Sequence, residues 1–160
     1  MGAAPILSVS HLSKNFGGVQ AMQDVSFDLN AGELLGLIGP NGSGKTTAVN
    51  LITGFVKPSE GEIFFQGRDI TGMAPYKIVR QGIARTFQMV KPFYQLPAYK
   101  NMNIPLYSPR VKKTQGGSYG DRDAVALDLL EEVGFERDAG VAYKPAGALP
   151  QGYLKRLELA

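Results

Sequence analysis

At 160 residues the chain is about one domain long and can bury a core of its own. A net charge of +3 without a dense Lys/Arg block argues for neither nucleic acid nor a strongly anionic membrane as a partner, and no nucleic-acid partner is expected; the absence of Cys removes disulfides and thiolate metal sites, as fits a reducing cytoplasm. The opening residues MGAAPILSVS lack the charged leader and long apolar core of a signal peptide, and no apolar run approaches the roughly 20 residues that cross a bilayer. Any membrane role is expected to be that of a peripheral partner.

In chain order, Ile6, Val9 and Leu12 alternate imperfectly and predict a first strand. Val25, Phe27 and Leu29 alternate cleanly with Ser26, Asp28 and Asn30, the pattern of a half-buried antiparallel strand. Between the two lies the turn Lys14-Asn15-Phe16-Gly17-Gly18, whose aromatic ring either stacks on a base or packs under its own hairpin. Asn30-Ala31-Gly32 turns the chain into the next element.

That element is Glu33 to Gly54, ELLGLIGPNGSGKTTAVNLITG. Leu34, Leu35, Leu37 and Ile38 form a nearly continuous apolar run, which predicts a strand covered on both faces. Gly39 to Thr46 then fits G-x-x-x-x-G-K-[ST] at every specified position, and Ala48, Leu51, Ile52 and Phe55 follow at helical spacing, with Gly54 where a helix would stop. Glycines let the backbone curl around an anion with its N–H groups pointing inward, and a helix N terminus adds unpaired donors and partial positive charge. Lys45 is expected to reach the β- and γ-phosphates and the Thr46 hydroxyl to ligate Mg²⁺. The motif in this context predicts a nucleoside triphosphate site formed by Gly39, Asn41, Gly42, Ser43, Gly44, Lys45 and Thr46.

Glu60 to Gly67 predicts a strand closed by a turn, and Pro75 to Gln81 a short helix. Ile83, Ala84, Thr86 and Phe87 suggest another strand ending at Gln88, on the edge where α/β sheets place their ligands. From Pro92 the texture changes. Repeated prolines, the polar loop Lys112 to Gly120, and a helix capped by Asp121, carried by Ala124, Ala126, Leu127, Leu130 and Val133 and stopped at Gly134, predict a smaller helical insertion to about Ala148. The tail LPQGYLKRLELA reads as a loop entering a helix near Leu154.

With strands ahead of the phosphate loop, Gln88, a helical insertion and this tail, the chain resembles the nucleotide-binding domain of ABC transporters. Within that family it is most similar to the ATP-binding subunits of branched-chain amino acid importers. The resemblance covers essentially the whole sequence, most specifically in GPNGSGKTT, IARTFQ and LPQGYLKRLELA. It implies an α/β P-loop NTPase fold with an N-terminal antiparallel layer and a helical subdomain, divided into an ATP-binding core (1–91) and a helical subdomain with signature loop (92–160). It implies ATP and Mg²⁺ as ligands, Phe16 on the adenine, Thr47 on the phosphates, and Gln88 as the sensor of Mg²⁺ and γ-phosphate. Leu149 to Tyr153, including Pro150, Gln151, Gly152 and Tyr153, would contact the ATP held by a second nucleotide-binding domain. Transmembrane permease subunits, and through them a periplasmic solute-binding protein, are the implied further partners, with the subunit peripheral on the cytoplasmic face of the membrane.

Pro150 departs from the family's usual LSGGQ, in which Ser stands at that position. It can donate neither by hydroxyl nor by backbone N–H, which leaves Gly152 and the following helix as anion donors. A hydrolytic site of this kind also needs an acidic Mg²⁺ ligand, a Glu that polarises water, and a His. No apolar run followed by Asp-Glu occurs, and the single His11 is expected on a surface strand. The sequence is therefore expected to be the N-terminal piece of a polypeptide of about 250 residues, to lack sheet strands between the two predicted inner ones, and to turn over no ATP alone. A GTPase is disfavoured, since Asn101 is followed by Met102 and Asn50 by Leu51, so neither opens an N-K-x-D motif. A non-catalytic, regulatory ATP-binding module is the alternative.

Overall fold

The computed structural model describes residues 4–107, 121–137 and 140–160. The chain forms two compact units, Met1–Arg85 and Thr86–Ala160.

The first unit is built on an antiparallel sheet of order β2-β1-β3-β4, with β1 (Leu7–Phe16), β2 (Val19–Leu29), β3 (Glu60–Phe65) and β4 (Arg68–Asp69). β1 is the central strand, placing Leu7 opposite Leu29 and Phe65, and Val9 opposite Phe27 and Ile63. Its imperfect alternation has a structural cause. Between the pairs Val9–Phe27 and Leu12–Val25, β1 advances three residues while β2 advances two. The extra residue is absorbed by a bulge that includes His11 at φ 50, so Leu12 rather than His11 faces the core. β2 carries a matching irregularity at Asp24, φ 48, and His11 Nδ1 lies 2.7 Å from Asp24 Oδ1 on the exposed face. Gly61 on β3 crosses this bulge at φ 89, where a Cβ would stand 2.4 Å from the His11 carbonyl oxygen.

Helix α1 (Lys45–Ile52) lays Ala48 and Leu51 on this sheet, closing a core of Leu7, Val9, Leu12, Met22, Ile63 and Ile70. Gly54, at φ 77, follows its last turn. Helix α2 (Pro75–Gln81) starts with Pro at its first position, where no N–H partner is lost, and buries Ile78.

Two predicted strands do not form. Leu34–Ile38 joins no sheet among the described residues, and Leu34 and Ile38 are 98% and 94% exposed. Ile83–Phe87 is likewise irregular, and Gln88 lies in a bend rather than at a strand end. The reason is the same for both. A strand with two apolar faces is ordered by parallel neighbours on its edges and by layers above and below. The four-stranded sheet here is antiparallel, and among the described residues it pairs with neither segment.

The second unit is helical: α3 (Ala98–Leu106), α4 (Arg122–Glu132), two short 3₁₀ turns (Val141–Tyr143 and Ala146–Ala148) and α5 (Gln151–Leu159). Asp121 caps α4 by accepting from the N–H groups of Asp123 and Ala124, and Gly134 leaves the helix at φ 86. Ala126 and Leu130 of α4 meet Met102 and Leu106 of α3, with Phe135, Leu149, Leu154 and Leu157 completing the core, while Ala124 is exposed. Lys100 on α3 donates to both carboxylate oxygens of Asp123, at 2.9 and 2.8 Å, and Asn103 adds a third bond at 2.6 Å. The Lys100 ammonium, then Asn103, hold the Asp123 carboxyl below its ordinary range. The predicted polar loop Lys112–Gly120 lies outside the described residues.

Candidate functional site: the phosphate loop

The loop from Gly39 to Lys45 owes its shape to two left-handed residues, Gly42 at φ 85 and Gly44 at φ 87. Gly44 is also required by contact, because a Cβ there would sit 2.7 Å from the Ala21 carbonyl oxygen on β2. The sheet thus backs the loop directly. The Ser43 N–H donates to the Pro40 carbonyl at 3.3 Å, and the Ala48 N–H to Gly44 at 2.8 Å, so the loop runs straight into the first turn of α1. No side chain caps that helix start. Its first N–H groups have no partner within the helix, and the helix dipole adds positive potential there.

Lys45 turns back into the loop. Its Nζ donates to the Gly39 and Pro40 carbonyl oxygens, both at 2.6 Å, and to Ser43 Oγ at 3.3 Å. An ammonium, two glycines in anion-nest conformation and an uncapped helix start are therefore gathered within one turn of chain. Thr46 is exposed and Thr47 half-buried on the first turn of α1. This donor set suits a phosphate group, and a hydroxyl beside it suits the hard, oxygen-seeking Mg²⁺.

Phe16 ends β1 at the hairpin tip. It is 48% exposed and outside the buried core cluster, with the Lys14 ammonium 5.1 Å from its ring centroid. Of the other predicted residues, Gln88 and Pro150–Tyr153 belong to the second unit. Helix α5 begins at Gln151, with Pro150 as N-cap, three residues before the expected start. Gln151, Gly152 and Tyr153 are therefore the first helical turn and not a loop, because Pro150 supplies the fixed φ of a helix entry and Gly152, at ordinary φ, accepts the helix. Gly152 is exposed, with open space where a Cβ would stand. Tyr153 has packing to do. Its ring meets Phe135 edge-on at 5.0 Å and carries the Arg156 guanidinium at 5.3 Å.

Three side chains beside these elements escaped the sequence reading. Arg85 donates to Asn50 Oδ1 at 2.7 Å and Thr53 Oγ1 at 3.1 Å and lies over Phe55, tying down the end of α1. Lys155 and Glu158 bond the main chain of Phe87, next to Gln88. The charge pair at i,i+3 was visible in sequence, but its main-chain target was not.

Fold and loop together define a P-loop nucleotide-binding cassette. The ABC transporter family matches residues 22–160. The chain is 36% identical to the high-affinity branched-chain amino acid transport ATP-binding protein BraF of Pseudomonas aeruginosa, over 98% of its own length and 64% of that protein's. It is 43% identical to a probable branched-chain amino acid transport ATP-binding protein, LivG, of Archaeoglobus fulgidus, over 97% and 62%. Among solved structures, a nucleotide-free ATP-binding cassette from an ABC transporter superposes with a TM-score of 0.76 at 32% identity, covering 97% of this chain and 63% of that one. A cassette in its ADP conformation gives 0.76 at 31%, covering 98% and 63%. The chain belongs to the ABC transporter family, and it spans somewhat under two thirds of the length of these relatives.

Proposed function

We propose that this chain is the ATP-binding portion of an ABC transporter subunit that, in the complete protein, hydrolyses ATP to drive import of branched-chain amino acids or related amides. The observation that carries the reading is the phosphate loop, with its two left-handed glycines, its uncapped helix start and the Lys45 ammonium aimed into the curl.

In this reading the N–H groups of Gly42, Ser43, Gly44 and Lys45 cradle the triphosphate, and Thr46 and Thr47 flank it. Lys45 exchanges its carbonyl partners for phosphate oxygens, and Phe16 offers its exposed ring to the adenine. Thr46 would hold Mg²⁺, which when bound neutralises phosphate charge, and the role that the family resemblance implies for Gln88 is to sense the metal and the γ-phosphate. Pro150, Gln151, Gly152 and Tyr153 open the helix that presents itself to the ATP of a second nucleotide-binding domain, with Gly152 supplying close backbone approach. The surface of the helical subdomain, with the segment after Gln88, meets the permease at the cytoplasmic face of the membrane. No described helix is long and apolar enough to cross that membrane itself. Hydrolysis is proposed for the complete protein.

Titration with ATP and Mg²⁺ by calorimetry tests this. Lys45→Ala is expected to weaken binding about tenfold to a hundredfold, the worth of a charge-assisted hydrogen bond, with an unchanged far-UV spectrum. An unchanged Kd overturns the reading.

A further inference from the structure

Phe87 is held at both of its peptide groups by one helix. Its N–H donates to Glu158 Oε1 at 2.6 Å, and its carbonyl oxygen accepts from Lys155 Nζ. The two side chains close the ring by pairing with each other, Lys155 Nζ to Glu158 Oε2 at 2.9 Å. The N–H belongs to the peptide plane that enters Phe87, and the carbonyl to the rigid plane that contains the nitrogen of Gln88. Fixing both planes leaves little freedom in the backbone that delivers Gln88.

The holder is itself fixed. Leu154 and Leu157, each the neighbour of a clamping residue, are buried in the helical core. The Glu158 side chain is only 14% exposed, and the Lys155 ammonium, followed by the Phe87 N–H, keeps its carboxyl charged to lower pH than usual. The first turn of this same helix carries Gln151 and Gly152.

We infer that Lys155 and Glu158 are positioning residues that hang the Gln88 segment from α5, so that Gln88 and Gly152 are carried by one rigid helix. The inference rests on the proposed phosphate-sensing role of Gln88 for its catalytic consequence, though not for the clamp. A movement of the signature turn then displaces Gln88 with it, and a nucleotide that engages one of the two groups constrains the other through α5.

The test uses the complete protein. In Glu158→Ala, hydrogen exchange at the Phe87 amide is expected to accelerate about tenfold to a hundredfold, while amides of α4 keep their protection. Glu158→Gln keeps a carbonyl acceptor and is expected to restore most of the protection. Calorimetric ATP affinity stays within about twofold of wild type and kcat falls, the mark of a group misplaced rather than a ligand lost. Equal protection in Glu158→Ala and wild type overturns the clamp, as does loosening spread evenly over the unit. Should Glu158→Ala not fold, Lys155→Met spares the Phe87 N–H bond and is expected to lower kcat at unchanged ATP affinity, and an unchanged kcat overturns the positioning role. If Lys45→Ala leaves ATP binding intact, the proposed function fails while the exchange measurement still decides the clamp.

Discussion

Two apolar stretches of the first unit have opposite fates. Val9 and Leu12 on β1 are 2% and 0% exposed, whereas Leu34 and Ile38, ahead of the phosphate loop, are 98% and 94% exposed. Side-chain chemistry does not separate them. β1 has a hydrogen-bonded neighbour on each edge and α1 across one face, and the second stretch joins no sheet. Apolar character supplies a driving force, but a strand collects it only where partners satisfy its backbone and cover its faces.

The sharpest way to test that contrast is to truncate both. Leu12→Ala is expected to cost about 2–5 kcal/mol in urea unfolding of the 160-residue chain, and Leu34→Ala no more than about 0.5 kcal/mol. Comparable losses would mean that the second stretch is buried in solution. A smaller effect probes the second unit, at the cap of α4. Asp121→Ala removes the acceptor of two N–H groups on α4 and is expected to cost about 1 kcal/mol by the same measurement. The least effect is one of pH. The Glu158 carboxyl titrates below its ordinary range in the folded chain, first because of Lys155 and then because of the Phe87 N–H. A group depressed on folding contributes stability that is full above its unfolded pKa and fades as pH falls through the folded value. The unfolding midpoint should therefore decline below the usual carboxylate range, and Glu158→Gln should flatten part of that decline. Parallel pH profiles for the two proteins would count against the pair.

Local signals were the legible ones. The glycines of the phosphate loop, the Asp121 cap, the Gly134 stop and the helix after Pro75 each depend on a few adjacent residues with strong conformational preferences, and each is where the sequence places it, whereas the hairpin turn is tighter than expected, with Lys14, Asn15 and Phe16 still in β1 and only Gly17-Gly18 turning. The apolar runs at Leu34 and Ile83 carried no record of whether a neighbour would be there to pair. The His11 bulge was hidden because it shifts the alternation by one residue while keeping Leu12 inside. At the site, Lys45 and its glycines were legible from spacing alone. The grip of Lys155 and Glu158 on Phe87 was not, since it joins residues 68 and 71 positions apart through a main chain that looks the same everywhere.

The ammonium of Lys45 already has good company in the Gly39 and Pro40 carbonyls. An incoming anion must outbid two short bonds before it gains the lysine, so what counts is the difference between partners and not the strength of either. Dense, multiply charged groups can win that exchange, whereas a neutral sugar or a weakly charged ester gains little from it. On the proposed reading, the loop therefore selects its ligand by charge.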